Sequence, residues 1–131
     1  MVKQRMALEY ELRSRSFATI WGLVSTPEGM QRWIADKVTR TDDTLTFTWG
    51  NEWEAHQTKS ARILSCEKTG RFRFRWDGDG EQEYVELRIE RSALTGDYVL
   101  HVTDFAEPDD MDDMRGLWDG DVKRLHQNTG V

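Results

Sequence analysis

The chain has 131 residues, 32% of them charged, and a formal net charge of −6 with its histidines neutral. That length suits one domain rather than two, and the acidic balance argues against non-specific nucleic-acid binding, which needs a basic face. Cys66 is the one cysteine, which excludes an intrachain disulfide, and no run approaches the roughly 18 apolar residues of a membrane span.

The residues before Met6 hold nothing like the apolar centre of a signal peptide, so a cytoplasmic protein is expected. Met6, Leu8, Tyr10 and Leu12 recur at every second position and predict a strand from Met6 to Arg13. Ser14 or Ser16 is placed to cap a helix starting near Phe17, where Phe17, Ile20, Trp21 and Val24 share one face. Thr26-Pro27 restarts the chain as N-cap and first helical residue. A second helix over 27–35 then puts Met30, Trp33 and Ile34 on one side.

Strands follow. Val38 to Thr41 is short. Leu45, Phe47 and Trp49 alternate with threonines, and Gly50-Asn51 reads as a hairpin turn. The return strand runs from Trp53 to Cys66 in one of two registers. A two-residue turn pairs Trp49 with Glu52, a three-residue turn pairs it with Trp53, and one residue of slip moves every side chain to the other face. Turns at Lys68–Gly70, Asp77–Glu81 and Thr95–Asp97 separate three further runs. In the first, Phe72, Phe74 and Trp76 alternate with Arg71, Arg73 and Arg75; in the second, Val85, Leu87 and Ile89 alternate with Glu86, Arg88 and Glu90. Antiparallel pairing sets the arginine row against Glu86 and Glu90, so the row is a solvated sheet face rather than a nucleic-acid site. The third run, Tyr98 to Phe105, is mostly apolar on both sides, which permits a homodimer interface.

Pro108 opens the last element. Met111, Met114, Trp118, Val122 and Leu125 recur at spacings of three and four, the signature of a helix with one dry face. Asp109, Asp110, Asp112 and Asp113 crowd its start, and Lys123, Arg124 and His126 its end, matching the helix dipole. Gly116 and Gly120 each cost about 1 kcal/mol relative to Ala in a helix interior, and close approach to another backbone would offset that. The order of strand, two short helices, about six strands and a long helix describes an α+β helix-grip layout. Continuous hairpin connections favour an antiparallel sheet, and laying the helix across it buries both dry faces, an arrangement that often encloses a pocket.

Three segments resemble the START-like superfamily (SRPBCC, Bet v 1-like), in the branch of homologues of the heat-shock protein 90 ATPase activator. These are Ile20-Trp21 with Thr26-Pro27 and Trp33; Gly70 to Trp76; and Met114, Trp118, Val122 and Leu125. The resemblance spans roughly residues 6 to 128 and identifies a single START-like domain over 1–131. It implies a curved sheet around a final helix with an apolar cavity. The family it points to includes carriers of hydrophobic ligands, cyclases and chaperone activators.

Motifs of catalysis are absent: there is no Gly-x-Ser-x-Gly elbow, His-Glu-x-x-His pair or phosphate-binding glycine loop. Asp77-Gly-Asp79-Gly-Glu81 lacks the glycine and glutamate that a calcium loop needs further on, and reads as an acidic turn. His56, His101 and His126 have no metal-ligand spacing. No metal and no cofactor are expected. The aromatic excess points to a cavity wall, with Trp33, Trp49, Trp53, Trp76, His101, Met111, Met114 and Trp118 as candidate lining residues and His101 as a polar anchor if it faces inward. The expected function is non-enzymatic binding of a small hydrophobic or amphipathic ligand. The alternatives are a protein-interaction module with a chaperone partner, and a cyclase- or hydrolase-like enzyme using His101, Glu52 or Tyr84.

Overall fold

Alternation of apolar and polar side chains builds seven strands. They are β1 (Gln4–Glu11), β2 (Lys37–Thr41), β3 (Thr44–Trp49), β4 (Gln57–Glu67), β5 (Arg71–Trp76), β6 (Val85–Arg91) and β7 (Tyr98–Ala106). The structure, a computed structural model, describes residues 2–50 and 57–131. The strands form one antiparallel sheet in the order β1-β7-β6-β5-β4-β3-β2. Hairpin neighbours pair from β2 through β7. The first strand closes onto the last, so β1 and β2 lie at opposite edges and the two short helices between them carry the chain across.

Register decides which face is dry. Phe72 lies opposite Leu87, Leu87 opposite Val102, Ile89 opposite Leu100, and Leu45 opposite Ala61. All are buried, so cross-strand partners share one apolar face. A β-bulge between Ile63 and Ser65 breaks the ladder in the long fourth strand, a device that bends and twists a sheet. On the opposite face Arg73 bonds Glu86 at 2.7 Å, and Arg71 bonds Glu67 at 2.8 Å. Arg75 donates to the carbonyls of Glu83 and Glu81 instead of a carboxylate. Glu90, expected opposite the arginine row, pairs with Arg88 of its own strand, because residues two apart share a strand face.

Two corrections concern the middle of the chain. Trp49 pairs with Gln57, so neither expected register of the return strand holds. The second helix is also shorter than its predicted span of 27–35. Helix α1 (Phe17–Ser25) is capped by Ser16, whose hydroxyl accepts from the Thr19 N–H. Helix α2 (Pro27–Met30) is one turn long and capped by Thr26. Beyond Met30 the chain tightens into turns. There the Trp33 indole N–H donates to the Leu23 carbonyl at 2.8 Å, and the Gln31 side chain accepts the Val38 N–H at 2.9 Å. Burying Trp33 and launching β2 displaces the last helical turn.

A 3-10 turn at Pro108–Asp110 leads into helix α3 (Met111–Thr129), which ends at Gly130 in the left-handed conformation. Trp118, Val122 and Leu125 of α3 belong to the same buried cluster as Phe72, Phe74, Leu87, Leu100 and Val102. The helix therefore lies on the dry face of the sheet. Among the described residues no helix is long and apolar enough to cross a membrane.

The expected backbone approach at Gly116 and Gly120 is not there. A Cβ at Gly116 meets nothing within 4 Å, and one at Gly120 meets only the end of the Arg124 side chain. The tight glycine is Gly29, where a Cβ would sit 2.1 Å from the Gly22 carbonyl oxygen and 2.5 Å from the Leu23 Cα. Two glycine-to-alanine variants should therefore move stability in opposite directions. Gly29→Ala is expected to destabilise by about 3 kcal/mol or more, since backbone must yield. Gly116→Ala should stabilise by about 0.5–1 kcal/mol. Denaturant unfolding of the two variants beside the parent chain measures both.

Candidate functional site

The site starts from one buried polar contact. Even-numbered residues of β7 point to the dry face, which makes Leu100, Val102 and Ala106 core residues and sends Asp104 inward with them. Asp104 is 7% exposed. Its Oδ2 accepts the Trp118 indole N–H at 2.9 Å, and its Oδ1 accepts the Phe105 backbone N–H at 2.7 Å. Burial pushes this carboxyl above its ordinary value, and the two N–H donors pull it partly back. Trp118 also packs at 6.2 Å, tilted by 53°, on Trp33. The helix is thus held to the sheet on one side and to the segment after α2 on the other.

Around Trp118 the helix and the sheet do not close on each other completely. Trp118 is buried, Met114 half-buried and Leu117 exposed. A cavity of about 480 Å³ opens there. Its apolar wall is Ile34, Trp49, Phe74, Trp76, Met114 and Trp118, with Leu117 at the rim. Phe47 stiffens this wall from behind, 5.0 Å from Trp76, 5.6 Å from Phe74 and 6.0 Å from Trp49 between ring centroids. The Trp49 ring is further fixed by its indole N–H, which donates to the Ile34 carbonyl at 2.9 Å.

Gln57, Lys59, Asp104, Asp121 and Arg124 supply the polar groups. Lys59 faces inward because it pairs across from the fully buried Phe47, and its Nζ lies 4.2 Å from the centroid of the Trp76 ring. Asp121, one turn along α3 from Trp118, forms an ion pair with Arg124. The Arg124 Nε also donates to the Trp33 carbonyl at 3.2 Å. Burial raises the Asp121 carboxyl from the ordinary 3.8 to about 7, with the Arg124 charge opposing that rise.

Of the residues singled out in the sequence, Trp49, Trp76, Met114 and Trp118 line this cavity. Trp33 is behind it, buried against Trp118, and borders a separate cleft of about 250 Å³ with Gln31, Asp36 and Asn128. Met111 packs half-buried on the core without lining the cavity. Trp53 lies outside the described residues, as does Glu52. His101 is corrected: it sits on the convex face, 3.4 Å from Glu9 and 3.5 Å from Glu90, because odd positions of β7 point away from α3. Tyr84 is on that same outer side, stacked under Arg73 and edge-on to Phe105.

The polar lining was missed in the sequence. Asp104 carried a signal, being the one acid at an inward parity of an apolar strand. Asp121 carried another, three residues after Trp118 on the dry helical face. The inward turn of Lys59 had none, because it depends on the register that the Trp49–Gln57 pairing sets.

A curved antiparallel sheet gripping its last helix over an apolar cavity defines a helix-grip domain. The chain belongs to the START-like superfamily, whose family model matches residues 1–131. A protein from Bacteroides fragilis, known from a solution NMR structure, is similar at 39% identity over 97% of this chain and 91% of its own, with a TM-score of 0.64. A Bacillus thuringiensis crystal structure shares the fold at 9% identity, TM-score 0.74, over 95% and 97% of the two chains. The solution structure of the Aha1 dimer from Colwellia psychrerythraea does so at 11% identity, TM-score 0.71, over 97% and 98%. No curated protein matches the chain significantly.

The buried Asp121 should show in the pH dependence of stability. Folded, it keeps its proton up to about pH 7; unfolded, it loses it near pH 4. In between the folded state binds more protons, so this group's contribution to stability falls as pH rises through that window and is level above it. Asp121→Asn removes the penalty. Its melting temperature should match the parent's near pH 4 and exceed it above pH 7, by up to about 4 kcal/mol in stability. Thermal unfolding of both proteins across pH 4–8 checks this.

Proposed function

We propose that this domain binds one small hydrophobic or amphipathic molecule in the cavity between the sheet and α3, and does so without catalysing a reaction on it. The observation that carries the reading is the cavity itself. At about 480 Å³ it falls within the ~300–1,000 Å³ of small-molecule sites, and it has their composition of an aromatic wall with a few convergent polar groups. The carboxylates favour binding over chemistry. Asp104 has an N–H donor on each oxygen, and Asp121 has Arg124 of its own helix as its partner, so each carboxylate already has a structural role. The other catalytic guesses, His101 and Tyr84, sit on the convex side.

A second reading is association with protein. Leu117, 65% exposed at the cavity rim, is the observation that favours it, and the Aha1 neighbour is a dimer. A homodimer would cover that leucine. A chaperone partner draws only on the likeness to Aha1.

Ligand binding is testable with the tryptophans as reporters. Titration with a panel of acyl and aryl compounds should shift the indole N–H resonances of Trp49 and Trp76 while leaving that of Trp21, on the far helix, in place. A panel that moves no indole resonance, or moves Trp21 as much as the cavity pair, would contradict the proposal.

A further inference from the structure

We propose that the occupant is an amphiphile with an anionic head, a carboxylate on an acyl or aryl body, and that Lys59 at the mouth of the cavity holds the head. This rests on the ligand-binding reading above and names the class of ligand.

The placement of Lys59 is the starting point. The dry face of a sheet is apolar by construction, and its neighbours here obey that. Phe47 opposite Lys59, and Ala61 two residues on, are both fully buried. A lysine at that parity breaks the pattern at the end of β4 where the cavity opens, and its side chain is exposed there. Its Nζ rests over the Trp76 ring, a contact that orients a cation without using up its N–H donors. Among the described residues Lys59 enters no ion pair.

The remaining charges decide the sign of the ligand. Asp104 holds two N–H donors, and Asp121 and Arg124 hold each other. An ammonium ligand would compete with Arg124 for Asp121 and would meet the like charge of Lys59 at the mouth. Among the described residues Lys59 is the lining cation that has no ion pair, since Arg124 is engaged by Asp121 and the Trp33 carbonyl. The head therefore stays at the mouth beside Lys59 and Gln57, and the apolar body lies inward along Phe74, Met114 and Trp118.

The test compares head groups on one body. Decanoate, 1-decanol and decylammonium, each kept below its micellar concentration, and the aryl pair 2-naphthoate and 2-naphthol, are titrated at pH 7.5. Indole N–H shifts are the readout, with the parent protein, Lys59→Met and Lys59→Arg. The carboxylates should bind about 10-fold tighter than the matching alcohols, the size of one charge-assisted hydrogen bond at a half-open site. Lys59→Met should remove that preference and leave alcohol binding as it was, and Lys59→Arg should keep it. Equal affinity for acid and alcohol overturns the head-group assignment while the cavity remains a binding site, and so does tightest binding of decylammonium or an equal loss for all ligands in Lys59→Met. No binding of any of the five overturns both readings.

Discussion

The hydrogen bond from the Trp118 indole to Asp104 is the contact on which the rest of the structure depends. The apolar stripe of α3 (Trp118, Val122 and Leu125) drives the helix onto the sheet but does not say how far along or at what rotation, because apolar contact is non-directional. One donor and one acceptor, both buried, remove that freedom. Any other seating of the helix leaves a carboxylate and an indole N–H unpaired in the core, at about 1–3 kcal/mol for each neutral group and more for the charge. Weaker latches lie along the same helix. Tyr10 of β1 donates to Asp119 at 2.7 Å, and Arg32 and Asn128 exchange hydrogen bonds with each other's carbonyls. The chain terminus is tied down as well, since the Val131 carbonyl accepts the Arg13 N–H at 2.6 Å.

Between these fixed points the middle of α3 and the sheet do not close completely, and the cavity is the space left, lined from the helix by Met114, Trp118, Asp121 and Arg124. A flexible wall would collapse into such a space. The wall here is a cluster of rings, with Phe47, Trp49, Phe74 and Trp76 in mutual contact and few rotamers to explore. Asp104 is engaged in holding the helix, Asp121 is paired with Arg124 of its own helix, and Lys59 stands at the rim.

Much of the fold was legible in the chain because the two periodicities are strong. The runs around Phe72–Trp76 and Val85–Ile89 could only be half-wet strands, and the spacing from Met111 to Leu125 could only be a helix with a dry face. The Thr26-Pro27 break and the Ser16 cap are local chemistry and were readable as such. What failed was non-local. The pairing of Trp49 with Gln57 is set by a connection whose length no propensity encodes, and with it went the facing of Lys59. The second helix ended early because the Trp33 indole found the Leu23 carbonyl, a tertiary bond. His101 was misjudged because its strand is apolar at both parities, so neither face announced itself. Asp104 was passed over, since its inward charge is explained only by a tryptophan fourteen residues later.

Hydrogen exchange of the Trp118 indole N–H, followed by NMR as a function of denaturant, tests the seating of α3 most directly. Bonded to a buried carboxylate beneath the helix, that proton should exchange only when the whole domain unfolds, with an opening free energy equal to the global one. Exchange through a smaller, denaturant-independent opening would mean that α3 lifts from the sheet on its own, and the cavity beneath it would then have no fixed wall.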